Sequence, residues 1–191
     1  MACVSSATMQ QRVLRTRLRA AIVWHPDRTG KLRHADVTGW WRDAALLRAL
    51  GPALAALFPQ PPVATVVLGP QSRGCLVGVL VARHLEVGFV EVRKNESSAT
   101  DSERWVRQTT PPDYRYRHLE LAFRRGLVQP SDRVLVADDW IDTGSQVATV
   151  KRLVDGVGAT WIGAACIVDG LGDARLRRDL GVRTLFRVRN L

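Results

Sequence analysis

Residues 133–146, RVLVADDWIDTGSQ, form the stretch on which the fold assignment depends. Four apolar residues, 134–137, precede the adjacent carboxylates of Asp138 and Asp139. A continuous apolar run of this kind predicts a strand that is buried on both faces, as in a parallel sheet. Apolar residues at helical spacing follow the stretch as far as Val157, which predicts a helix. The order is therefore strand, loop and helix, with the charged residues at the carboxyl end of the strand.

The loop after this strand carries Thr143, Gly144 and Ser145. Open parallel sheets bind ligands at the carboxyl ends of their strands, and the backbone N–H groups of a helix N-terminus bind anions there. The two carboxylates beside such a phosphate site would face sugar hydroxyls or a magnesium ion. Together these groups describe a site for a phosphorylated sugar. The alternative is a plain strand, turn and helix in which the carboxylates only cap the helix.

The same residues resemble the phosphoribosyl-pyrophosphate signature of the type I phosphoribosyltransferases. Its usual form is four apolar, two acidic and two aliphatic residues, a variable residue, Thr-Gly, a variable residue, then Thr or Ser. The chain departs from this form at Trp140, where an aliphatic residue is usual, and at Gln146, where a hydroxyl is usual. We expect Trp140 to form the floor of a base pocket. Gln146 removes one possible phosphate hydroxyl but leaves the backbone cradle.

Length and composition indicate a globular protein of one domain. The chain has 191 residues, of which 46% are hydrophobic, and this is enough for one sizeable core. No apolar run is long enough to span a membrane, and no secretion signal is evident. Cys3, Cys75 and Cys166 match neither a disulfide framework nor a metal-ligand spacing. They indicate reduced thiols in a cytoplasmic protein.

The formal charge of +10, mostly from arginine, has two functional interpretations. One is nucleic-acid binding, and the other is attraction of highly anionic small substrates. Arginine-rich composition also suits a GC-rich genome, which would have no functional meaning. Four arginines lie on a predicted amphipathic helix, residues 11–24, whose basic face we expect to be solvated. Residues 1–10 before it are expected to be frayed.

The remainder of the chain alternates between predicted strands and helices. Further strands are predicted at residues 63–68, 88–92, 119–122, 161–168 and 183–188, and helices at 43–58, 75–85 and 174–180. This alternation predicts an α/β fold with a mostly parallel central sheet flanked by helices. Two segments, 24–41 and 95–116, show no period. A structureless loop as long as 95–116 is usually a functional lid or disordered, and we expect a lid that closes over substrates.

Taken together, these segments resemble the adenine phosphoribosyltransferase family over nearly the whole chain. Residues 35–43 are similar to the family's entry segment, residues 69–74 occupy the place of its pyrophosphate loop, and residues 88–94 end in its Arg-Lys pair. The resemblance implies the type I phosphoribosyltransferase fold as a single domain, residues 1–191. Residues 1–42 would form the N-terminal helix and a small hood, and residues 95–116 a flexible catalytic loop. It also implies a homodimer.

The implied reaction transfers the 5-phosphoribosyl group from phosphoribosyl pyrophosphate to a purine or related base and releases pyrophosphate. Asp138 and Asp139 would hold the ribose hydroxyls and Mg²⁺, the latter directly or indirectly. Asp113, where the family's mobile loop has a glutamate, would be the general acid or base, unless it is only a turn residue. Thr143, Gly144 and Ser145 would bind the 5′-phosphate, and Trp140, Asp142 and Gln146 are further candidates for substrate binding. The candidates for binding pyrophosphate are Ser72, Arg73, Gly74, Arg93 and Lys94.

The acceptor base stays open, because the family's base-contacting arginine falls at Ala35 and its Lys-Leu-Pro motif is absent from residues 96–98. Trp24, Trp40 and Trp140 are candidates for stacking on a base, although a tryptophan at the start of a helix, such as Trp40, more often belongs to the core. The alternative function is a non-catalytic regulator that senses phosphoribosyl pyrophosphate and binds nucleic acid through its arginines. A regulator has no need of a lid with an acid–base residue, and its nucleic-acid binding would weaken steeply with salt.

Overall fold

The computed structural model describes residues 2–26, 33–58, 63–95, 104–111 and 118–191. In these ranges the helices are α1 (Ala2–Ala20), α2 (Gly39–Arg42), α3 (Ala44–Ala55), α4 (Arg73–Leu85), α5 (Ser145–Gly156) and α6 (Ala174–Asp179). The strands are β1 (Val23–Pro26), β2 (Arg33–Asp36), β3 (Val66–Pro70), β4 (Gly88–Lys94), β5 (Trp105–Thr109), β6 (Glu120–Arg124), β7 (Arg133–Ile141), β8 (Thr160–Asp169) and β9 (Val182–Arg187). A short 3-10 turn, Val188–Asn190, follows.

Seven of these strands form one sheet, in the order β5-β6-β4-β3-β7-β8-β9. The strands from β4 through β3, β7 and β8 to β9 are parallel, whereas β6 is antiparallel to both β4 and β5. Strand β4, which follows β3 in the chain, lies on one side of β3, and the later strand β7 lies on the other side. The gap between the carboxyl ends of β3 and β7 is therefore the topological switch point, where open α/β sheets bind ligands.

Two hydrophobic cores lie on opposite faces of the sheet. One contains α1, α2, α3 and α4, which pack on residues such as Val67 and Leu135. The other contains α5 and residues such as Leu68 and Val136, so successive residues of β3 and of β7 enter opposite cores. This burial of both faces explains why these strands are continuous apolar runs in the sequence. The α/β fold with a mostly parallel sheet flanked by helices is confirmed.

Local signals set several element boundaries. The Asp43 carboxylate accepts hydrogen bonds from the backbone N–H groups of Ala45 and Leu46 and begins α3, as its position in the sequence predicts. The fully buried Trp40 donates its indole N–H to the carbonyl of Leu18 at 2.8 Å and so joins α2 to α1. No helix in the described ranges is both long and apolar enough to cross a membrane.

The structure corrects four expectations about the elements. Helix α1 begins at Ala2 and ends at Ala20, so residues 2–10 belong to it. The segment expected to be irregular, residues 24–41, contains most of the β1–β2 hairpin together with α2. The segment 95–116 contains β5, whose five residues pair with β6. Strand β7 continues to Ile141 and includes both aspartates. Hydrogen bonding to a partner strand stabilises the short strands β1, β2 and β5. The periodicity of one segment does not reveal such a partner.

Candidate active site

Arg73 and Asp139 meet across the topological switch point. Asp139 lies near the carboxyl end of β7, and Arg73 is the first residue of α4, directly after β3 and a two-residue turn. Their Nε and Oδ2 atoms are 2.8 Å apart. The arginine side chain is 46% exposed and the aspartate side chain only 6%, so the ion pair closes over a buried carboxylate. The peptide bond between Gln71 and Ser72, in the turn before Arg73, is cis.

Gly74 lets the N-terminus of α4 approach the neighbouring carboxylate. A Cβ atom at this position would lie 2.8 Å from Oδ1 of Asp138 and 2.8 Å from Cδ of Pro70, closer than real Cβ atoms come. The first turn of α4 therefore sits against both aspartates, with Gly74 beside Asp138 and Arg73 beside Asp139. The positive end of a helix dipole next to two carboxylates is electrostatically favourable. The structure thus brings together four residues that the sequence placed in two separate motifs.

The two aspartates differ in their electrostatic environment. Burial and the adjacent Asp139 carboxylate raise the pKa of Asp138 well above its ordinary value. Oδ1 of Asp138 accepts a hydrogen bond of 2.9 Å from the backbone N–H of Asp139. Oδ2 of Asp139 is buried and has no hydrogen bond with good geometry, although it lies within ion-pair distance of Arg73. A buried carboxylate oxygen without a hydrogen bond is a group that a cation or a sugar hydroxyl would satisfy.

Lys94, at the end of β4, lies close enough to the same carboxylates for their charges to affect its pKa. Burial lowers the pKa of Lys94, and Asp138 and Asp139 oppose this effect through their negative charges. The backbone N–H of Lys94 donates to Oε1 of Gln71, which ties the end of β4 to the turn before α4. The side chain of Arg93 instead donates to Glu91 and lies over the ring of Trp105 at 5.2 Å. Lys94 is therefore the better-placed member of the Arg-Lys pair.

The loop after β7 has the geometry expected of an anion cradle. Gly144 has φ +79°, a left-handed conformation that favours glycine, and helix α5 begins at the next residue without a side-chain cap. The N–H of Ser145 donates to Oγ1 of Thr143 at 3.4 Å, and the N–H groups of the next residues of α5 are available to a ligand. The hydroxyls of Thr143 and Ser145 are 3.2 Å apart. A small cavity of about 80 Å³ opens here, lined by Asp138, Trp140, Ile141, Asp142, Thr143, Gly144, Gln146 and Val147.

The tryptophans named as stacking candidates occupy different environments. Trp40 is fully buried and hydrogen-bonded to α1, so it is a core residue, as its position at the start of a helix favours, and does not stack on a base. Trp140 lines the small cavity beside Gln146 and also packs against the core that contains α1. Trp24 is 37% exposed on β1 of the hairpin. Asp113 lies outside the described residues.

Two contacts of the site have no signal in the sequence motifs. Hydrogen bonds from Thr38 are the main reason that the pKa of Asp36 is lowered, with smaller contributions from His25 and Arg73. Arg73 is therefore near enough to the β1–β2 hairpin for its charge to contribute slightly to the lowered pKa of Asp36. On the other side, Cδ2 of Leu171 occupies the space that a Cβ at Gly144 would need, at 2.8 Å. Only the folded chain brings these distant segments against the switch point.

Known proteins are similar to this chain in sequence and in fold. The model of the family described as phosphoribosyl transferase domain matches residues 49–187. The adenine phosphoribosyltransferase of Brevibacillus brevis is 30% identical over 138 residues, which are 72% of this chain and 78% of that protein. That of Albidiferax ferrireducens is 34% identical over 154 residues, which are 80% of this chain and 77% of that protein.

Solved structures agree with the sequence relatives. The crystal structure of adenine phosphoribosyltransferase from Rhodothermus marinus matches with a TM-score of 0.77 at 28% identity, and covers 93% of this chain and 99% of that chain. The adenine phosphoribosyltransferase from Thermoanaerobacter pseudethanolicus has a TM-score of 0.78 at 21% identity, which extends the likeness of fold. The chain therefore belongs to the phosphoribosyltransferase family and has the type I fold of its adenine phosphoribosyltransferase relatives.

Proposed function

We propose that this protein is an enzyme that transfers the 5-phosphoribosyl group from phosphoribosyl pyrophosphate to a purine base and releases pyrophosphate. The observation that carries the proposal is the meeting of two anion-binding elements and a carboxylate pair at one switch point. The α5 cradle suits the 5′-phosphate, Arg73 and Lys94 suit the pyrophosphate, and Asp138 and Asp139 lie between them. This order of groups suits a sugar that carries a phosphate at one end and a pyrophosphate at the other.

In this mechanism each part of the site has a separate task. The N–H groups at the start of α5, with Thr143 and Ser145, bind the 5′-phosphate and fix the sugar. Arg73 exchanges its contact with Asp139 for one with the departing pyrophosphate, where a guanidinium stabilises the developing negative charge. Asp139 is then free to bind a ribose hydroxyl. The carboxylates also favour the positive charge that grows on the ribose as the bond to pyrophosphate breaks.

The residues fit a magnesium ion that arrives with the substrate. In the described part of the chain no group of three or more His, Cys, Asp or Glu side chains could hold a metal by itself. Mg²⁺ commonly uses only one or two carboxylates together with substrate phosphates and water. Asp138 and Asp139 would supply those ligands once Arg73 has exchanged its contact with Oδ2 of Asp139 for one with the pyrophosphate. The ion's charge would stabilise the leaving pyrophosphate.

Several further parts of the proposal rest on the family. The relatives are named adenine phosphoribosyltransferases, so adenine is the first base to test. The β1–β2 hairpin, with Trp24, is expected to line the side of the site that binds the base. Asp113 would act as general acid or base from a lid formed by the catalytic loop. We also propose that the enzyme is a homodimer in the cytoplasm. The free thiols of Cys75 and Cys166 suit a reducing compartment.

The proposal is tested with a panel of bases, each incubated with phosphoribosyl pyrophosphate and Mg²⁺ and followed by release of pyrophosphate. Adenine or a related purine should release pyrophosphate in the wild-type protein. The Asp138→Asn/Asp139→Asn variant should release none and should no longer bind phosphoribosyl pyrophosphate in calorimetry. Unchanged binding by this variant, in a folded state, would show that the carboxylate pair has no part in substrate recognition and would overturn the assignment.

A further inference from the structure

A second concentration of positive charge lies along β9, which forms one edge of the sheet. A cavity of about 360 Å³ opens there, separate from the cavity beside Thr143. Residues 182–187 of β9 line it together with side chains from α1, α6 and the final turn. Five arginines line this arginine pocket: Arg15, Arg177, Arg183, Arg187 and Arg189. Four of them lie within residues 177–189, and the fold brings Arg15 of α1 beside them.

Two of the five guanidinium groups are occupied by the protein itself. Arg177 donates from Nε to Oδ2 of Asp169 at 2.5 Å and also donates to the carbonyl of Leu171. Arg183 donates to the carbonyl of Leu57 at 2.6 Å and lies over the ring of Phe58 at 4.8 Å. Among the described residues that line the pocket, Asp169 is the only one with a carboxylate, and Arg177 already neutralises it.

The other three arginines lack an anionic partner. Arg15 lies over the ring of Phe186 at 5.7 Å, and its charge is otherwise turned to solvent. Arg187 and Arg189 are exposed and form no ion pair or side-chain hydrogen bond with any residue that the structure describes. Five arginines against one aspartate leave a formal balance of four positive charges around one cavity. Such a concentration of like charge raises the local potential and attracts anions.

We propose that the arginine pocket is a second anion-binding site, for a small ligand that carries a chain of several phosphates, such as a nucleoside polyphosphate. Guanidinium groups bind phosphate oxygens in pairs, and several phosphates match several unpaired arginines. The volume lies within the range of about 300–1,000 Å³ that small-molecule pockets occupy. The site does not depend on the proposed catalytic activity, because none of its arginines lies at the switch point.

The two anion sites are nevertheless joined by one turn. Asp169 accepts a hydrogen bond from the backbone N–H of Leu171 at 2.8 Å, and Leu171 packs against Gly144 of the phosphate cradle. Arg177 holds both Asp169 and the carbonyl of Leu171. A variant at Arg177 would therefore disturb the cradle as well as the pocket, so a clean test leaves Arg177 and Asp169 in place.

The test compares tripolyphosphate binding by calorimetry in three proteins. These are the wild type, the pocket variant Arg15→Gln/Arg187→Gln/Arg189→Gln, and the control variant Arg42→Gln/Arg83→Gln/Arg124→Gln, whose arginines are also exposed. Both variants lose the same charge and keep the switch point intact. We expect affinity at the pocket to fall about tenfold or more in the pocket variant and to stay near the wild-type value in the control. Equal affinities in all three proteins, or equal losses in both variants, would overturn the proposal.

A second measurement distinguishes the source of the phosphates. The same three proteins are titrated with a short single-stranded oligothymidylate over a range of salt concentrations. Weaker binding of the oligonucleotide than of tripolyphosphate supports a small ligand. Tighter oligonucleotide binding that depends on the pocket and falls steeply with salt would instead assign the site to a nucleic-acid backbone and overturn the small-ligand proposal. Thermal melts of each variant establish that the compared proteins are folded.

Discussion

The two proposed anion sites of this protein use different physical means. The cradle between β7 and α5 relies on backbone N–H groups and on one glycine with positive φ, and its side-chain donors are the hydroxyls of Thr143 and Ser145. The arginine pocket along β9 relies on guanidinium groups and contributes no helix terminus. A backbone cradle fixes its ligand in one position, because the donors cannot move independently of the fold. Long arginine side chains adapt to several ligands and act over a longer distance. The difference suits a catalytic site and a recruiting or regulatory site, respectively.

The proposed catalytic site differs from the arginine pocket mainly in having a general acid or base, for which Asp113 is the candidate. Asp113→Asn should lower turnover by about 10²-fold, since a general acid or base typically contributes that much. Binding of phosphoribosyl pyrophosphate should stay nearly unchanged, because the carboxylate pair and the cradle remain. Turnover and binding are measured on one preparation with a base found to react. Turnover at the wild-type rate in this variant would mean that Asp113 is only a turn residue and has no acid–base role.

Gly144→Ala should separate backbone geometry from charge at the cradle. The new Cβ requires a left-handed conformation at φ +79° and lies 2.8 Å from Leu171, so the loop must shift. We expect affinity for ribose 5-phosphate to fall about tenfold, with a loss of about 1–2 kcal/mol in stability.

Gly158→Ala is the matched control for this change. Gly158 has φ +78°, but its Cβ would meet only Pro130 at an ordinary distance of 3.7 Å. This variant should lose similar stability and keep wild-type affinity for ribose 5-phosphate. A loss of affinity as large in this control as in Gly144→Ala would mean that general destabilisation, not the cradle, explains the effect.

Asp138→Asn should stabilise the folded protein while it impairs function. The amide oxygen keeps the hydrogen bond from Asp139, and the charge that burial opposes is removed. The folded state raises the pKa of Asp138, so it holds the proton more tightly than the unfolded chain. The destabilising contribution therefore grows as pH rises above about 4 and is fully present once pH exceeds the raised pKa.

The measurement is a series of thermal melts across pH without Mg²⁺. At neutral pH we expect a gain of about 1 kcal/mol, or roughly 2–4 °C in Tm for a chain of this size, which disappears near pH 4. Asp139→Asn is the comparison, because it removes the partner of Arg73 as well as a charge. Mg²⁺ should stabilise the wild type more than the Asp138→Asn variant. A destabilised Asp138→Asn protein at neutral pH would contradict the buried-charge explanation.

We expect the smallest effect when arginines of the pocket are substituted and the turnover rate is measured. The pocket variant used above, and the reversal Arg15→Glu/Arg19→Glu on α1, should change turnover by no more than about twofold in the absence of a polyphosphate. Both sets of side chains lie outside the proposed catalytic residues. Solubility and adhesion to nucleic acid should change more than turnover. A large loss of rate in a folded variant would show that this edge contributes to catalysis.

The sequence alone was sufficient for the fold class and for half of the candidate site. Continuous apolar strands buried on both faces, alternating with helices, predicted the parallel sheet. The contiguous stretch from Asp138 to Gln146 predicted the carboxylates and the cradle, because all its parts are neighbours along one strand, loop and helix. The Asp43 cap of α3 was likewise predictable, since a cap depends only on adjacent residues.

The tertiary structure alone decided how distant segments meet. It placed Arg73 against Asp139, and it placed Lys94 near both carboxylates while Arg93 donates to Glu91. It paired β5 with β6 within a segment that shows no period, and it collected five arginines from α1, α6, β9 and the final turn into one pocket. The physical reason is the same in each case. Strand pairing and side-chain contacts depend on partners far away in the chain, whereas periodicity and local motifs record only what each segment does by itself.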